Sequence, residues 1–199
     1  MTSARFMLSL ALISALGAGI ASAKLQTYKI AGERNLATVE SNTEVENFTG
    51  RTAKVTGEIR FDANAKTGSG LIIVDAMSIT TGVPQRDSNM RGADYMNFSA
   101  HPQIRFETLS VKHKQGDEYD VNGRMTMSGK TVNLTVPATL RLLSAGPATR
   151  ELGFTGNVVN LRARFPIKLA DFGVVLKGRS AASVSSTPTL QLNVFASDQ

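Results

Sequence analysis

The strongest constraint on the fold is an alternation of apolar and polar residues that recurs along most of the chain. Val55, Ile59 and Phe61 follow this spacing, and the same pattern returns over residues 132–140. Because successive side chains of a β-strand point to opposite faces, a period of two predicts strands with one apolar face. About eight such segments can be traced between turn-forming residues, whereas helical spacing is scarce. The sequence therefore predicts an all-β protein.

Turn-forming residues mark the boundaries of the candidate strands. Residues 62–70 are predicted to join the two strands of a hairpin, and residues 115–117 and Gly129-Lys130 are the next predicted turns. Apolar segments at residues 161–169 and 190–194 complete the set. Strands in this number leave two architectures, a two-sheet sandwich or a closed barrel, and periodicity alone does not choose between them.

The alternation stops between Pro84 and about Met96. A proline suits the first turn of a helix, and an acidic residue such as Asp87 in that turn is stabilised by the helix dipole. We therefore predict one short helix over about residues 85–96. Residues 143–151 and 177–188 lack strand spacing and are predicted to be long surface loops.

Residues 1–23 have the features of an export signal. The charge of Arg5 precedes an apolar stretch over residues 6–20, which is shorter than the roughly 20 residues that a membrane-spanning helix needs. An Ala-Ser-Ala sequence follows, as signal peptidase requires, and polar sequence begins at Lys24. We predict a signal peptide over residues 1–23, cleaved near Ala23-Lys24. The remainder, residues 24–199, is predicted to be a single periplasmic or secreted domain.

Composition excludes several classes of function. The chain has no cysteine and only two histidines, His101 and His113, which rules out thiolate chemistry and histidine-rich metal clusters. The sequence patterns of serine hydrolases, nucleotide-binding loops and zinc proteases are absent. The formal net charge is +6, but the lysines and arginines are scattered instead of forming the stripe typical of nucleic-acid binding. We predict no catalytic residue, no metal, no cofactor and no nucleic-acid partner.

Several stretches of the sequence carry motifs beyond the simple alternation. One block contains Ser-Ile-Thr-Thr at residues 78–81, an Arg-Asp and Arg-Gly-Ala-Asp segment at residues 86–96, and a His-Pro turn followed by a strand at residues 101–106. This block resembles the signature of the YceI-like family of periplasmic lipid-binding proteins, and residues 80–106 are its most specific part. Residues 119–140 are similar to the central hairpin of that family and residues 153–172 to its late strands, so the resemblance covers most of residues 24–199.

The resemblance implies an extended, lipocalin-like, eight-stranded antiparallel β-barrel with one short helix. In this family a long apolar tunnel binds polyisoprenoids or other amphiphilic chains, so a long-chain isoprenoid or similar lipid is the expected partner. Transient contact with a membrane surface and a homodimer are further expectations. Many members carry a histidine early in the first long strand and another at its end, whereas this chain has Asn35 and a Glu-Val-Glu-Asn stretch at residues 44–47. Roles attributed to those histidines do not transfer.

Two groups of residues are the candidate ligand contacts. At one end of the barrel, Thr80, Thr81, Arg86 and Arg91 are expected to form a broad positive rim for a polar headgroup. In a structural alternative, these arginines pair with Asp87 and only support the helix. The candidates on the inward faces of the strands are Ile59, Phe61, Ile73, Phe106, Val121, Met125, Met127, Leu134 and Val136. Such apolar side chains either line a tunnel or pack into a solid core.

Three functional classes follow from these expectations. The first is a binding protein that carries, stores or scavenges long apolar or amphiphilic molecules such as polyisoprenoids, isoprenoid quinone precursors or fatty-acid-like lipids. The second is a structural or partner-binding barrel, associated with membrane redox proteins and filled by its own side chains. The third is a lipid hydrolase or isomerase, which needs two titratable groups that converge inside the barrel. Only Asp87 and Asp94 lie near the predicted mouth, so we predict that the protein is not an enzyme.

Overall fold

Strands account for most of the described chain, which comprises residues 24–30 and 32–199 of a computed structural model. The predicted signal peptide lies outside the described residues. The ten strand segments are β1 (Gln26–Ile30), β2 (Leu36–Asn42), β3 (Asn47–Thr52), β4 (Val55–Asp62), β5 (Thr67–Asp75), β6 (Gln103–His113), β7 (Glu118–Met127), β8 (Lys130–Leu143), β9 (Val158–Pro166) and β10 (Thr189–Ser197). The helices are α1 (Pro84–Arg91), α2 (Pro147–Glu151) and α3 (Arg179–Ser183), with two 3-10 turns at Ala76–Ser78 and Leu169–Phe172.

The strand segments form a closed antiparallel barrel. β1 and β2 are successive pieces of one barrel strand, and β3 and β4 are successive pieces of the next, because β1 pairs with β4 and β2 pairs with β3. From β4 each strand pairs with the following one as far as β10. The first part of β10 then pairs with β2 and its end pairs with β1, where Ala196 lies opposite Ile30. The predicted eight-stranded barrel is therefore confirmed, with two of its strands interrupted.

Asn35 stabilises the interruption between β1 and β2. Its side chain is buried, and its Oδ1 accepts a hydrogen bond of 2.9 Å from the backbone N–H of Phe195 in β10. Its Nδ2 donates to the carbonyl of Gly32 at 3.0 Å. The amide thus satisfies backbone groups where the regular ladder is broken, as buried polar groups require.

A bulge in β6 changes the direction of its side chains. Thr108 lies opposite Gly123, but Ser110 lies opposite Asn122, so Leu109 is the extra residue. Leu109 is consequently 53% exposed, although it is apolar. The inward face therefore shifts from even to odd residue numbers along β6, as a bulge requires.

The helical segments differ in part from the prediction. α1 begins at Pro84 as expected, but it ends at Arg91, and Gly92 caps it. α2 and α3 are five-residue helices inside the two stretches that were predicted to be loops. No helix among residues 24–30 and 32–199 is long and apolar enough to cross a membrane.

The connections divide the barrel into two ends. The mouth end carries the connections at residues 43–46, 76–102, 128–129 and 167–188. The closed end carries the connections at residues 63–66, 114–117 and 144–157. A buried core near the closed end contains Tyr28, Ile30, Val55, Ile59, Phe61, Val74, Tyr119, Val159, Val194 and Ala196. A second core under the mouth end contains Ala76, Ile79, Phe98, Met125, Met127, Ile167, Leu169, Phe172 and Val174.

Candidate ligand cavity

An apolar cavity lies inside the barrel under the mouth end. Its volume is about 150 Å³, measured as the space open to the centre of a water-sized sphere. Strands β2, β3 and β5–β10 supply most of its wall, and Met90 of α1 supplies part of the cover together with Met96 and Phe98 of the segment after α1. We call this space the main cavity. Its lining is almost entirely apolar, with Thr38, Thr108 and Gln191 as the polar residues.

Small residues at inward positions keep the main cavity open. Ala138 of β8 and Ala163 of β9 lie directly opposite each other, and both line the cavity. Phe106 lies against the barrel wall at Gly123, where a Cβ atom would collide with its ring. Positions 138 and 163 carry only methyl groups, and the Phe106 ring lies against the wall. The centre of the barrel is therefore not filled by these side chains, and internal space remains.

A smaller cavity lies beside the main cavity. Its volume, measured in the same way, is about 40 Å³, and we call it the inner chamber. Residues of the closed-end core line it, among them Ile59, Phe61 and Tyr119. Five residues border both spaces: Ile72, Thr108, Val121, Ala138 and Leu161.

Most inward-face candidates border one of these spaces. The main cavity is lined by Phe106, Val121, Met125, Met127 and Val136, and the inner chamber by Ile59 and Phe61. Leu134 points to the same side of β8 as Val136 and packs against the cores, but it does not border the main cavity.

The prediction that Ile73 points inward is wrong. Val74 lies opposite Val55 and Ile72 lies opposite Gly57, which turns Ile72 and Val74 toward the cavity. Ile73 therefore faces the outside of the barrel, next to Thr56. The run Leu-Ile-Ile-Val has no alternation, so its sequence contains no signal for which residues are buried.

Asp87 fixes α1 to the end of the barrel wall. Its Oδ2 accepts a hydrogen bond of 2.6 Å from the hydroxyl of Thr80. Its Oδ1 accepts hydrogen bonds from the backbone N–H of Thr81 at 2.8 Å and from the Thr81 hydroxyl at 2.6 Å. Burial alone would raise the pKa of Asp87, but these hydrogen bonds and the charge of Arg91 lower it below its usual value. Asp87 is therefore a buried, ionised anchor.

Arg86 also connects α1 with neighbouring elements. Its Nε donates a hydrogen bond of 3.0 Å to the Thr81 hydroxyl, and its guanidinium forms an ion pair with Glu46 in the β2–β3 turn. The guanidinium also lies 4.1 Å from the centre of the Phe48 ring. Glu46 therefore helps to anchor the helix from a turn 40 positions earlier in the chain.

Arg91 binds backbone carbonyls beneath the helix. Its Nε donates to the carbonyl of Met77 at 3.1 Å, and an Nη atom donates to the carbonyl of Ile79 at 3.3 Å. The sequence-predicted rim residues are thus brought together, in contacts that support α1. Recognition of a headgroup by Arg86 and Arg91 stays a prediction.

The other titratable side chains considered for catalysis or metal binding, His101, His113 and Asp94, do not come together at the main cavity. The ring of His101 lies against Gly129 in the β7–β8 turn, and the Nε2 of His113 is 3.0 Å from the carbonyl oxygen of Gly116 in the β6–β7 turn. Asp94 is exposed after α1. Within residues 24–30 and 32–199, no three histidine or acidic side chains are placed to hold a metal ion.

Comparison with known families matches the YceI-like domain to residues 28–196. The chain belongs to the YceI-like domain family. It is 34% identical to Protein YceI of Escherichia coli O157:H7 over 103 residues, which are 52% of this chain and 50% of the relative. It is 32% identical to Protein YceI of Salmonella arizonae over 119 residues, 59% of each protein. The match thus spans about half the length of these curated relatives.

Solved structures share the fold of this YceI-like domain. Burkholderia cenocepacia BcnA superimposes with a TM-score of 0.72 at 20% identity, covering 84% of this chain and 99% of BcnA. A polyisoprenoid binding domain from Saccharophagus degradans, implicated in plant cell wall breakdown, gives 0.62 at 16% identity, with 86% and 98% coverage. The Campylobacter jejuni YceI protein gives 0.61 at 14% identity, with 100% and 94% coverage. At sequence identities of 14–20%, the similarity to these three structures shows a shared fold.

Proposed function

We propose that this protein binds a long apolar or amphiphilic molecule, such as a polyisoprenoid, and carries, stores or scavenges it in the periplasm. The main cavity is the observation that carries the proposal. Its walls are apolar, it lies inside a closed barrel, and ligand sites are characteristically enclosed spaces of this kind with few polar groups. The family membership and the polyisoprenoid-binding neighbour support the same ligand class.

The size of the main cavity indicates how a ligand is accommodated. An apolar protein cavity of about 150 Å³ stays dry and accepts a molecule the size of benzene. At about 0.8 kcal/mol per buried CH₂ group, a segment of that size gains roughly 5 kcal/mol before the costs of association. A longer chain requires lining side chains to move. Met90, Met96, Met125 and Met127 suit this role, because unbranched thioethers adopt several conformations at low cost.

The described groups do not favour catalysis. Both oxygens of Asp87 are occupied by Thr80 and Thr81, and its lowered pKa keeps it ionised, which suits an anchor better than a general acid. Asp94 is exposed. The structural or partner-binding alternative calls for a barrel filled by its own side chains, and the main cavity argues against it.

We further propose that the mouth end contacts a membrane surface, where such ligands reside. Several connections of the mouth end expose large apolar side chains, namely Val45, Met77, Val83, Tyr95 and Val175. Lys177 and Arg179 follow Val175 closely, and cations beside apolar tips suit anionic headgroups. Periplasmic localisation rests on the predicted signal peptide, and the homodimer stays a prediction.

Two measurements test the proposed binding. Organic extraction of protein purified from its native host, followed by mass spectrometry, should identify a bound prenyl or acyl lipid. In a titration with a fluorescent prenyl probe, Ala163→Leu should weaken binding by roughly tenfold, because the added side chain occupies the main cavity.

Arg162→Leu is the matched control, because it places the same side chain on the exposed outer face of the same strand. It should leave the dissociation constant unchanged. Absence of any extracted lipid, together with probe binding that Ala163→Leu does not affect, would reject the proposed function.

A further inference from the structure

The inner chamber lies toward the closed end, and five residues line both it and the main cavity. They come from the five adjacent strands β5 to β9 and are Ile72, Thr108, Val121, Ala138 and Leu161. Ala138 is the smallest of the five, so a larger residue at this position would narrow the passage. We call these five residues the waist.

Two aromatic rings border the inner chamber within the closed-end core. Phe61 and Tyr119 are 3% and 2% exposed, and they meet edge to face with ring centres 5.9 Å apart at 85°. Both belong to the core that also contains Tyr28 and Val194. Edge-to-face pairs of buried aromatic rings are favourable, and packed cores resist intrusion. The Phe61–Tyr119 pair is therefore a rigid part of the chamber wall on the side of the closed end.

The volume of the inner chamber suits the end of one chain. An apolar space of about 150 Å³ measured in this way accepts benzene, so a space of about 40 Å³ accepts one or two methyl groups. Its wall is mainly apolar, so water gains few hydrogen bonds there. The methyl groups of a chain end, in contrast, would gain dispersion contacts with the apolar side chains that line the chamber.

We propose that the inner chamber binds the terminal methyl groups of an apolar chain and that the waist controls access to it, so that the barrel selects ligands by length. This inference rests on the proposed function, because it assumes that a chain occupies the main cavity. A chain too short to pass the waist leaves the inner chamber empty. A chain that reaches Phe61 and Tyr119 gains nothing from further length inside the barrel.

Length selection can be measured with a series of prenyl alcohols that increase by one isoprene unit. We expect the association constant of the wild-type protein to rise by at least about tenfold per unit and then to level off once the chain reaches Phe61 and Tyr119. In Ala138→Leu the chain end should no longer enter the inner chamber, so the affinity should level off at a shorter chain length, and the loss relative to the wild type should be larger for long alcohols than for the shortest one.

Thr139→Leu is the matched control, because residue 139 is adjacent in β8 and points to the exposed outer face. It should reproduce the wild-type length profile. Val121→Ala provides a second test that does not overfill the barrel, since it widens the waist and should raise the affinity for chains branched at their far end. Thermal unfolding of each variant verifies that the barrel is intact.

The outcomes separate the inference from the proposed function. If no prenyl alcohol binds any of these proteins, the proposed function fails. If the alcohols bind but Ala138→Leu and Val121→Ala keep the wild-type profile, the barrel binds apolar chains without using the inner chamber, and the length-selection inference is overturned.

Discussion

Replacing Asp87 by asparagine is expected to loosen the segment that covers the main cavity. The carboxylate accepts three hydrogen bonds, from the hydroxyls of Thr80 and Thr81 and from the backbone N–H of Thr81. These bonds fix the first turn of α1, while Met90 near the end of the same helix lines the cavity. Asparagine keeps the shape of the side chain but loses its charge and one of its acceptor atoms.

The expected loss of stability follows from the number and type of these bonds. Hydrogen bonds to charged groups contribute about 1.5–3 kcal/mol and neutral ones about 0.5–1.5 kcal/mol, so the change from charged to neutral costs roughly 3–4 kcal/mol for the three bonds together. Asp87 is only 6% exposed, so water replaces little of this loss. For a protein of this length, each kcal/mol shifts the melting temperature by about 2–4 °C. Asp87→Asn should therefore melt roughly 6–16 °C below the wild type at neutral pH.

The effect should depend on pH in a defined direction. Because folding lowers the pKa of Asp87, the ionised carboxylate stabilises the fold at pH values above its unfolded pKa of about 3.9. That contribution is lost as the pH falls through the lower pKa of the folded state. The gap in melting temperature between wild type and Asp87→Asn should be complete at neutral pH and should shrink below about pH 4.

Thermal unfolding followed by circular dichroism across this pH range measures the gap. Asp94→Asn is the control, because it removes an exposed carboxylate from the same connection and should change the melting temperature little. A gap of the same size at every pH, or equal losses for Asp87→Asn and Asp94→Asn, would refute the anchoring role of the Asp87 charge.

Two further predictions concern the surface of the mouth end. Replacing Arg86 and Arg91 together by glutamine should weaken an anionic prenyl ligand by about tenfold and leave a neutral prenyl alcohol nearly unchanged in titrations at two salt concentrations. Equal losses for both ligands would mean that the arginines only support α1. Replacing Val45 and Val175 by serine should reduce co-sedimentation with anionic phospholipid vesicles, whereas Leu109→Ser on the outer wall should not, and equal effects would exclude the mouth end as the contact surface.

The direction of side chains could be predicted wherever apolar and polar residues alternate. β4, β7 and β8 follow their sequence spacing, so Phe61, Met125 and Val136 point inward as expected. Prediction fails where the local pattern lacks this information. Ile73 lies in a continuous apolar run, and Leu109 is displaced by a bulge that depends on pairing with β7.

The cover of the main cavity could not be predicted from the sequence. Met90, Met96 and Phe98 lie in a segment without strand spacing, and their contact with the cavity depends on how α1 rests on the barrel. One contact that anchors α1 joins Arg86 to Glu46, which lies 40 positions earlier in the chain. A local sequence pattern cannot identify a partner at that distance. The charged residues of α1 could be identified early, but the contacts of Arg86 and Arg91 with neighbouring elements could not, and headgroup recognition by these arginines stays a prediction.

Whether a barrel of this size is hollow depends on a few inward positions and not on the fold. Each of the eight barrel strands is paired along at least part of both edges, and the second edge of β3 is met by the bridge between Arg51 and Thr80, so closure satisfies most of the strand backbone irrespective of what fills the centre. Leucine in place of Ala138 and Ala163 would preserve the strand pattern and reduce the internal space. At Gly123 a side chain would force Phe106 away from the wall and toward the centre. Membership of the YceI-like family therefore accounts for the barrel, whereas these three positions account for the space that a ligand needs, and substitutions there should change binding before they change the fold.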